Sequence, residues 1–436
     1  MIYKFLKWYA ILGLKFYYKN IFIQYDPELP GKYPVIYASN HPAGFYESLL
    51  FATISKYAPI FLVRSDYVTI KGLMWIFRIL KLYPIYRQKE GLKNVSKNNE
   101  VFRSLYKELE NHTPVCIYPE GTTKFNFRIR PIKKGISRLA LGAKKYGLQD
   151  IQILPIAFNY VEPAKFRSDI FILSGSSMDL FDFNDEDLDN PASLRKLTIE
   201  IEEQMRKVAI DLKTPEQHNL FKQLQLLIVN NSIAGSNQKP YVRNSEIPKK
   251  IKNLSNLIKD LDDKSLSILE NKSNEYFEQL SSIKSNDKAV TNHKNTFVNS
   301  IKIFLGYPLY IIGIIVNAIP VLFALNIRKN KIKQYEYKAV VTVLIAQFAY
   351  ILYFIILILL STILFSTKGL IVVIFPFLAW FSLKYYDFKH DYFATKNFHN
   401  SSKKEKLREL RKEIENLAST CIGFSFVIFN LFDIWT

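Results

Sequence analysis

An uncharged and mostly apolar run over residues 339–365 constrains the fold of this chain more than any other stretch. The run is longer than the roughly 20 residues that a helix needs to cross a bilayer. Two further apolar runs lie on either side of it, over residues 304–325 and 370–383. We therefore predict that residues 297–436 form a transmembrane helical domain that ends in a membrane-associated tail.

The positions of the basic residues predict how these runs are placed in the membrane. The connection over residues 327–338 is rich in Lys and Arg, and positively charged loops remain in the cytoplasm. A single crossing by residues 304–325 would leave that connection outside. We therefore predict that this run turns back near Asn317 and Pro320 as a re-entrant hairpin, and that the other two runs cross as a pair. The chain is then a multi-pass membrane protein.

Composition agrees with a membrane protein and excludes some kinds of site. The 436 residues carry a formal net charge of +20 and are 49% hydrophobic, a combination that suits a protein facing anionic lipid or an anionic substrate. A basic compositional bias spread over the whole chain is an equally good explanation of the charge. The charge alone suggests a nucleic-acid binder, but no nucleic-acid-binding motif is present. The two cysteines form no disulfide framework, and with no zinc-binding or serine-hydrolase motif we expect no metal.

The region before the apolar runs divides into three predicted parts. Residues 1–25 are aromatic with interspersed lysines and are predicted to form an interfacial membrane helix, although a buried first helix is the alternative. Residues 26–230 are predicted to form an α/β sandwich with a mostly parallel sheet, because short β-branched runs alternate with amphipathic stretches. Residues 231–296 are predicted to form a helical linker or hairpin. The predicted strands are 35–38, 60–63, 82–86, 115–118, 151–157 and 170–173.

A histidine follows the first of these strands, at the edge where α/β sheets place their chemistry. The unperturbed pKa of imidazole is about 6.5, so neutral His41 can take a proton from a hydroxyl group near neutral pH. Glu47 comes six residues later and is a candidate to orient the ring and to stabilise its protonated form. A surface histidine in an ordinary turn is the alternative that this spacing leaves open.

Polar groups also follow two other predicted strands. Arg87 comes directly after strand 82–86 and can bind a phosphate through two hydrogen bonds. Glu120, Gly121 and Thr122 follow strand 115–118, and the glycine lets backbone N–H groups form an anion-binding nest. An ion pair and an ordinary turn would explain them singly. Because Arg87 and the Glu-Gly-Thr turn follow strands of the same predicted sheet as His41, we instead predict that they form one site for an anionic ligand.

Four ordered blocks over roughly residues 30–180 resemble the glycerophosphate and lysophosphatidic acid acyltransferases, a family of phospholipid and glycerol acyltransferases. The blocks are Asn40-His41-Pro42 with Glu47, Pro84-Ile85-Tyr86-Arg87, Tyr118-Pro119-Glu120-Gly121-Thr122 and Leu154-Pro155-Ile156. The resemblance implies that His41 is the catalytic base and Glu47 its partner. It also implies that the glycerophosphate is held by Arg87, Glu120, Gly121 and Thr122.

One departure from the family bears on the acceptor. The family usually has an Asp five residues after the histidine, where this chain has Tyr46, and its acid is Glu47 one place later. The longer spacing resembles the branch that acylates glycerol 3-phosphate or dihydroxyacetone phosphate. If Glu47 does not orient the imidazole, Tyr46 or a backbone carbonyl is the alternative.

The resemblance implies direct acyl transfer in phosphatidic acid and phospholipid biosynthesis. The acyl donor would be acyl-CoA or acyl-carrier protein, a co-substrate, and no bound cofactor is expected. The expected acceptor is glycerol 3-phosphate or dihydroxyacetone phosphate, with lysophosphatidic acid as the alternative and a non-catalytic lipid-binding protein as another. Because acyl thioesters are cytoplasmic, the catalytic domain is expected to face the cytoplasm. The expected partners are these substrates and membrane lipids, without nucleic acid.

Overall fold

A computed structural model describes most of the chain, which folds into two compact units. The described residues are 2–26, 28–68, 74–87, 90–91, 96–183, 187, 189–233, 241–293 and 295–422. The first unit comprises Met1–Asp211, Pro240–Pro248 and Gln334–Val340, and the second comprises Leu212–Lys239, Lys249–Lys333 and Val341–Thr436. The predicted tail beyond residue 422 lies outside the described residues.

The first unit is built on one sheet. Its strands are β1 (Asn20–Gln24), β2 (Val35–Ser39), β3 (Ile60–Arg64), β4 (Leu82–Ile85), β5 (Val115–Ile117), β6 (Gln152–Tyr160), β7 (Asp169–Ser174) and β8 (Tyr241–Arg243). They lie in the order β4-β3-β5-β2-β6-β7-β1-β8, and the first five of that order run parallel. The sheet reverses direction once, between β6 and β7. All six predicted strands are present, and the predicted mostly parallel α/β fold is confirmed.

Helices cover this sheet. They are α1 (Ile2–Tyr17), α2 (Tyr46–Ile54), α3 (Ser65–Val68), α4 (Met74–Ile79), α5 (Asn98–Glu110), α6 (Gly135–Tyr146) and α7 (Pro191–Val208). The start of α7 follows from its sequence, because the Asn190 side chain accepts a hydrogen bond from the Ala192 N–H and Pro191 takes the first helical position. The apolar faces of α5, α6 and α7 pack with strand residues into one buried core.

The N-terminal 25 residues differ from the predicted single helix. The helix α1 ends at Tyr17, and Asn20–Gln24 is a strand that pairs with β7 on one side and β8 on the other. Pairing on both sides buries Ile21, Phe22 and Ile23 almost completely, which outweighs the helical pattern. The exposed apolar side chains of α1 lie nearer its N-terminus, and its contact with a membrane stays a prediction.

The remaining described residues are mostly helical. The helices are α8 (Pro215–Ile233), α9 (Ile247–Lys259), α10 (Asp263–Ser282), α11 (Asp287–Thr291), α12 (Phe297–Lys331), α13 (Lys338–Phe365), α14 (Phe375–Asn400) and α15 (Lys404–Ile422). Within the described residues, three helical stretches are long and apolar enough to cross a membrane. They are Phe297–Lys331, Tyr335–Phe365 and Ile371–Asn400.

The predicted re-entrant hairpin near Asn317 and Pro320 is wrong. One helix, α12, continues through both residues from Phe297 to Lys331. The Asn317 amide donates to the Gly313 carbonyl at 2.8 Å and to the Phe375 carbonyl at 3.2 Å, and its oxygen accepts from the Tyr350 hydroxyl at 2.8 Å. Because this polar side chain is satisfied by its own helix and by two neighbours, the helix has no need to break there.

Candidate active site

The histidine loop is fixed to the sheet by the residue before His41. The buried Asn40 amide nitrogen donates to the Phe158 carbonyl at 3.2 Å, and its oxygen accepts from the Phe158 N–H at 2.8 Å. These two bonds tie the end of β2 to its neighbour β6. His41 therefore leaves the sheet at the carboxyl edge of a central parallel strand, as the sequence predicted.

The first turn of α2 brings Glu47 back towards His41. The Glu47 carboxylate is fully buried, and its Oε2 lies 3.3 Å from the His41 Nδ1, although the two atoms are not aligned as a hydrogen bond. The other oxygen accepts a hydrogen bond from the Ala43 N–H. Between them Gly44 has a φ of +68°, a conformation that glycine adopts without strain. This turn accommodates the six-residue spacing.

Tyr46, the alternative orienting residue, lies elsewhere. Its ring is fully buried and packs edge-on against Tyr18, with ring centroids 5.2 Å apart, and also lies near Tyr17. The residue at the usual acidic position of the family thus belongs to an aromatic core cluster. Among the side chains of the 41–47 turn, Glu47 is the one that the structure places against the imidazole.

A second ring limits the orientation of the imidazole. Tyr118 stacks on His41, with ring centroids 4.2 Å apart and an interplanar angle of 18°. Its hydroxyl is 2.7 Å from the Ser48 Oγ, which fixes the phenol ring to α2, and burial raises its pKa well above the ordinary value. Tyr118 was named from the sequence only as the first residue of the third block. Since Nδ1 faces Glu47, Nε2 is the ring nitrogen left to take a proton.

Glu120 joins the histidine loop to the turn after β5. One oxygen accepts from the His41 N–H at 3.2 Å, and the other accepts from the Arg130 Nε at 2.5 Å. Burial raises the pKa of Glu120, and Arg130 opposes this rise. Arg130 also donates to the Thr122 Oγ1 at 2.6 Å. Both oxygens of Glu120 are therefore already in use, which makes it an organiser of the site.

Arg130 had no predicted role in the site. The signal that points to it is the acid of the Glu-Gly-Thr turn, because a buried carboxylate is commonly paired with a cation. Nothing in the spacing says which of the nearby basic residues supplies that cation.

The backbone conformation at residue 121 explains why a glycine stands there, and the N–H of this glycine already makes a hydrogen bond. Its φ is +72°, and its N–H donates to the Tyr118 carbonyl at 3.0 Å. One donor of the predicted anion-binding nest is thus taken by the turn itself. Other donors of the turn remain candidates for an anion.

Arg87 lies at the same edge of the sheet but further from the histidine. It comes two residues after β4, and β3 and β5 separate β4 from β2, which corresponds to roughly 14 Å at the usual strand spacing. Its Nε is 3.4 Å from Glu90 Oε1, and one terminal nitrogen is 4.0 Å from Asp66 Oδ2. The structure therefore brings together His41, Glu47, Glu120 and Thr122, and holds Arg87 between acids on the edge strand. The substrate roles of all these residues stay predictions.

The described ranges contain no candidate metal-binding cluster. No group of three or more His, Cys, Asp or Glu side chains is arranged there to hold a metal ion. The residues of the site instead offer a base, a buried carboxylate and several hydrogen-bond donors.

The chain is similar to known proteins over part of its length. A family model described as Acyltransferase matches residues 20–159. Glycerol-3-phosphate O-acyltransferase 1 of Saccharomyces cerevisiae is 28% identical over 81 residues, which are 18% of this chain and 11% of that protein. The match thus spans about a tenth of the relative. The crystal structure of the 1-acyl-sn-glycerophosphate (LPA) acyltransferase PlsC from Thermotoga maritima aligns at 16% identity over 47% of this chain and 77% of that one, with a TM-score of 0.34.

Proposed function

We propose that residues 20–159, which match the Acyltransferase family model, form a glycerophosphate acyltransferase domain and that the chain is a membrane-bound O-acyltransferase. It would move a fatty acyl group from a thioester to a hydroxyl of a glycerophosphate. One observation carries the proposal: His41 is held between the Glu47 carboxylate and the Tyr118 ring, and its backbone is bonded to the Glu120 side chain.

The mechanism needs no covalent enzyme intermediate. His41 Nε2 removes the proton from the acceptor hydroxyl, and the oxygen attacks the thioester carbonyl carbon. The tetrahedral intermediate collapses, the carbon–sulfur bond breaks, and the thiolate leaves with the proton returned by the imidazolium. The buried Glu47 carboxylate 3.3 Å from Nδ1 stabilises the imidazolium while it exists.

The acceptor proposed first is glycerol 3-phosphate, with dihydroxyacetone phosphate as a close alternative. The six-residue spacing from His41 to Glu47 favours them, and the yeast relative is a glycerol-3-phosphate O-acyltransferase by name. Lysophosphatidic acid is the second candidate acceptor. The phosphate would be held by Arg87 and by the turn at Gly121 and Thr122, and the donor would be acyl-CoA or acyl-carrier protein without any bound cofactor.

The membrane placement is also part of the proposal. The apolar helices α12, α13 and α14 would hold the protein in the bilayer as a multi-pass protein. The catalytic domain would face the cytoplasm, where acyl thioesters are available.

The test is acyl transfer by the purified full-length protein in lipid. Labelled acyl-CoA is offered in turn with glycerol 3-phosphate, dihydroxyacetone phosphate and lysophosphatidic acid. His41→Ala should reduce turnover to the protein-free level, and His293→Ala, at an exposed histidine, should leave it unchanged. Equal turnover by wild type and His41→Ala would remove the proposed base. Ligand binding without any turnover by wild type would favour the lipid-binding alternative.

A further inference from the structure

The connection between α12 and α13 belongs to the first unit, the one that carries the candidate active site. We name residues 334–340 the strap; it contains a short 3-10 helix, Tyr335–Tyr337. We propose that the strap is a positioning element of the active site, which holds the two loops on which His41 depends. The inference rests on the proposed function and adds to it a segment that lies outside the four blocks and outside the matched residues 20–159.

The strap grips the loop that follows the Glu-Gly-Thr turn. The Glu336 Oε1 accepts a hydrogen bond from the Phe125 N–H at 3.0 Å. The rings of Tyr335 and Phe125 lie beside each other, with centroids 5.7 Å apart. Phe125 is three residues beyond Thr122, so the strap holds the C-terminal side of the turn. Arg130 holds the turn itself, through its hydrogen bonds to Glu120 and Thr122.

This loop in turn contacts the histidine. The N–H of Lys124 donates to the His41 carbonyl at 3.3 Å. The residue that the strap holds, Phe125, is the next one along the chain. A shift of the loop would therefore displace the backbone of His41 as well.

The strap also packs on the turn between His41 and Glu47. A Cβ atom built on Gly44 would lie 2.8 Å from two ring carbons of Tyr337, closer than such contacts occur. The Tyr337 ring also lies next to Phe45, with centroids 6.4 Å apart. Gly44 thus gives both the left-handed turn and the room for the strap. The strap contacts both loops that hold the imidazole.

The composition of the connection supports a role beyond turning the chain. Glu336 is the single acid within residues 326–338, a stretch otherwise rich in Lys and Arg. Retention of positive charge at a membrane surface needs no acid there. The hydrogen bond that Glu336 accepts from the backbone N–H of Phe125 gives this acid a function at the active-site loop. Because misplacing reacting groups by about 1 Å can cost on the order of 100-fold in rate, such a contact matters for catalysis.

The experiment compares variants that remove each contact of the strap with conservative variants that keep it. Glu336→Ala loses the acceptor for Phe125, and Glu336→Gln keeps one. Tyr337→Ala loses the ring over Gly44, and Tyr337→Phe keeps it. We expect kcat to fall by roughly 10- to 100-fold in the two alanine variants and to recover most of its value in the Gln and Phe variants. Glu278→Ala and Tyr33→Ala, at exposed positions, are the matched controls.

Hydrogen exchange measures the contacts without relying on activity. In Glu336→Ala the amides of residues 121–127 should exchange faster than in wild type, and in Glu336→Gln they should be close to wild type. Wild-type kcat and unchanged exchange in both alanine variants would overturn the strap. If the proposed function is wrong, wild type itself shows no turnover. The exchange measurement then still decides whether the strap holds the loop.

Discussion

Replacing Glu47 by Gln tests the pair at the centre of the candidate site. The change keeps size and shape but removes the charge 3.3 Å from the His41 Nδ1. Because Ala43 donates its N–H to one side-chain oxygen, the Gln carbonyl oxygen should stay there and the amide NH₂ should face the ring. A donor facing Nδ1 favours the tautomer that carries its proton on Nε2, where the acceptor proton has to go.

The size of the effect follows from the distance. A unit charge pair at 3.3 Å is worth about 5 kcal/mol at an effective dielectric constant of about 20. This is an upper limit, because the two atoms are not aligned as a hydrogen bond and the imidazole is 17% exposed. At about 1.36 kcal/mol for each factor of ten, we expect kcat to fall on the order of 10²- to 10³-fold, less than in His41→Ala.

The assay is steady-state acyl transfer with the acceptor that wild type uses best. Glu110→Gln, the same change at an exposed position on α5, is the control and should retain wild-type kcat. The double variant with His41→Ala should be no slower than His41→Ala alone, since Glu47 acts through the ring. Full activity of Glu47→Gln, or an additive loss in the double variant, would refute the pairing.

Three further predictions concern stability, pH and topology. Asn40→Ala removes two hydrogen bonds to Phe158 and should lower the free energy of unfolding by about 1–3 kcal/mol, measured as a lower Tm. Because burial raises the pKa of Glu120 above 4.5, the folded state binds the proton of this carboxyl group more tightly than the unfolded state does. The Tm of wild type relative to that of Glu120→Gln should therefore fall as the pH rises from 4.5 to the raised pKa, and stay constant above it. A Tm difference that does not depend on pH would contradict this prediction. A cysteine at position 333 directly precedes the strap, so it should react with an impermeant thiol reagent from the same side of the membrane as a cysteine placed at exposed Glu110 of the catalytic domain. Labelling of the two positions from opposite sides would contradict the contact between the strap and the active site.

The sequence was sufficient for the parts of the site that follow from local pattern. His41, Arg87 and the Glu-Gly-Thr turn were placed at one sheet edge because parallel strands end at the same side. The strand β1 was missed because its partners are remote: Ile21 pairs with Ile170. The continuity of α12 was missed because two of the three hydrogen-bond partners of Asn317 are on other helices.

The geometry of the imidazole, by contrast, depends mostly on contacts that are distant in sequence. Asn40 bonds to Phe158 across 118 residues, His41 bonds to Glu120 across 79, and Phe125 bonds to Glu336 across 211. The contact between Ala43 and Glu47 is the local one, at four residues. A motif therefore identifies which groups can do the chemistry, whereas their alignment is set by other segments.

This difference between local and distant contacts bears on how far a match to a family model determines activity. The matched segment, residues 20–159, contains every predicted site residue, yet the acceptor for the Phe125 N–H is Glu336, far outside it. If the strap positions the loops as we propose, two chains with the same four blocks will differ in kcat when their connections between apolar helices differ. The apolar helices α12 and α13 would then contribute to the active site through the segment that joins them.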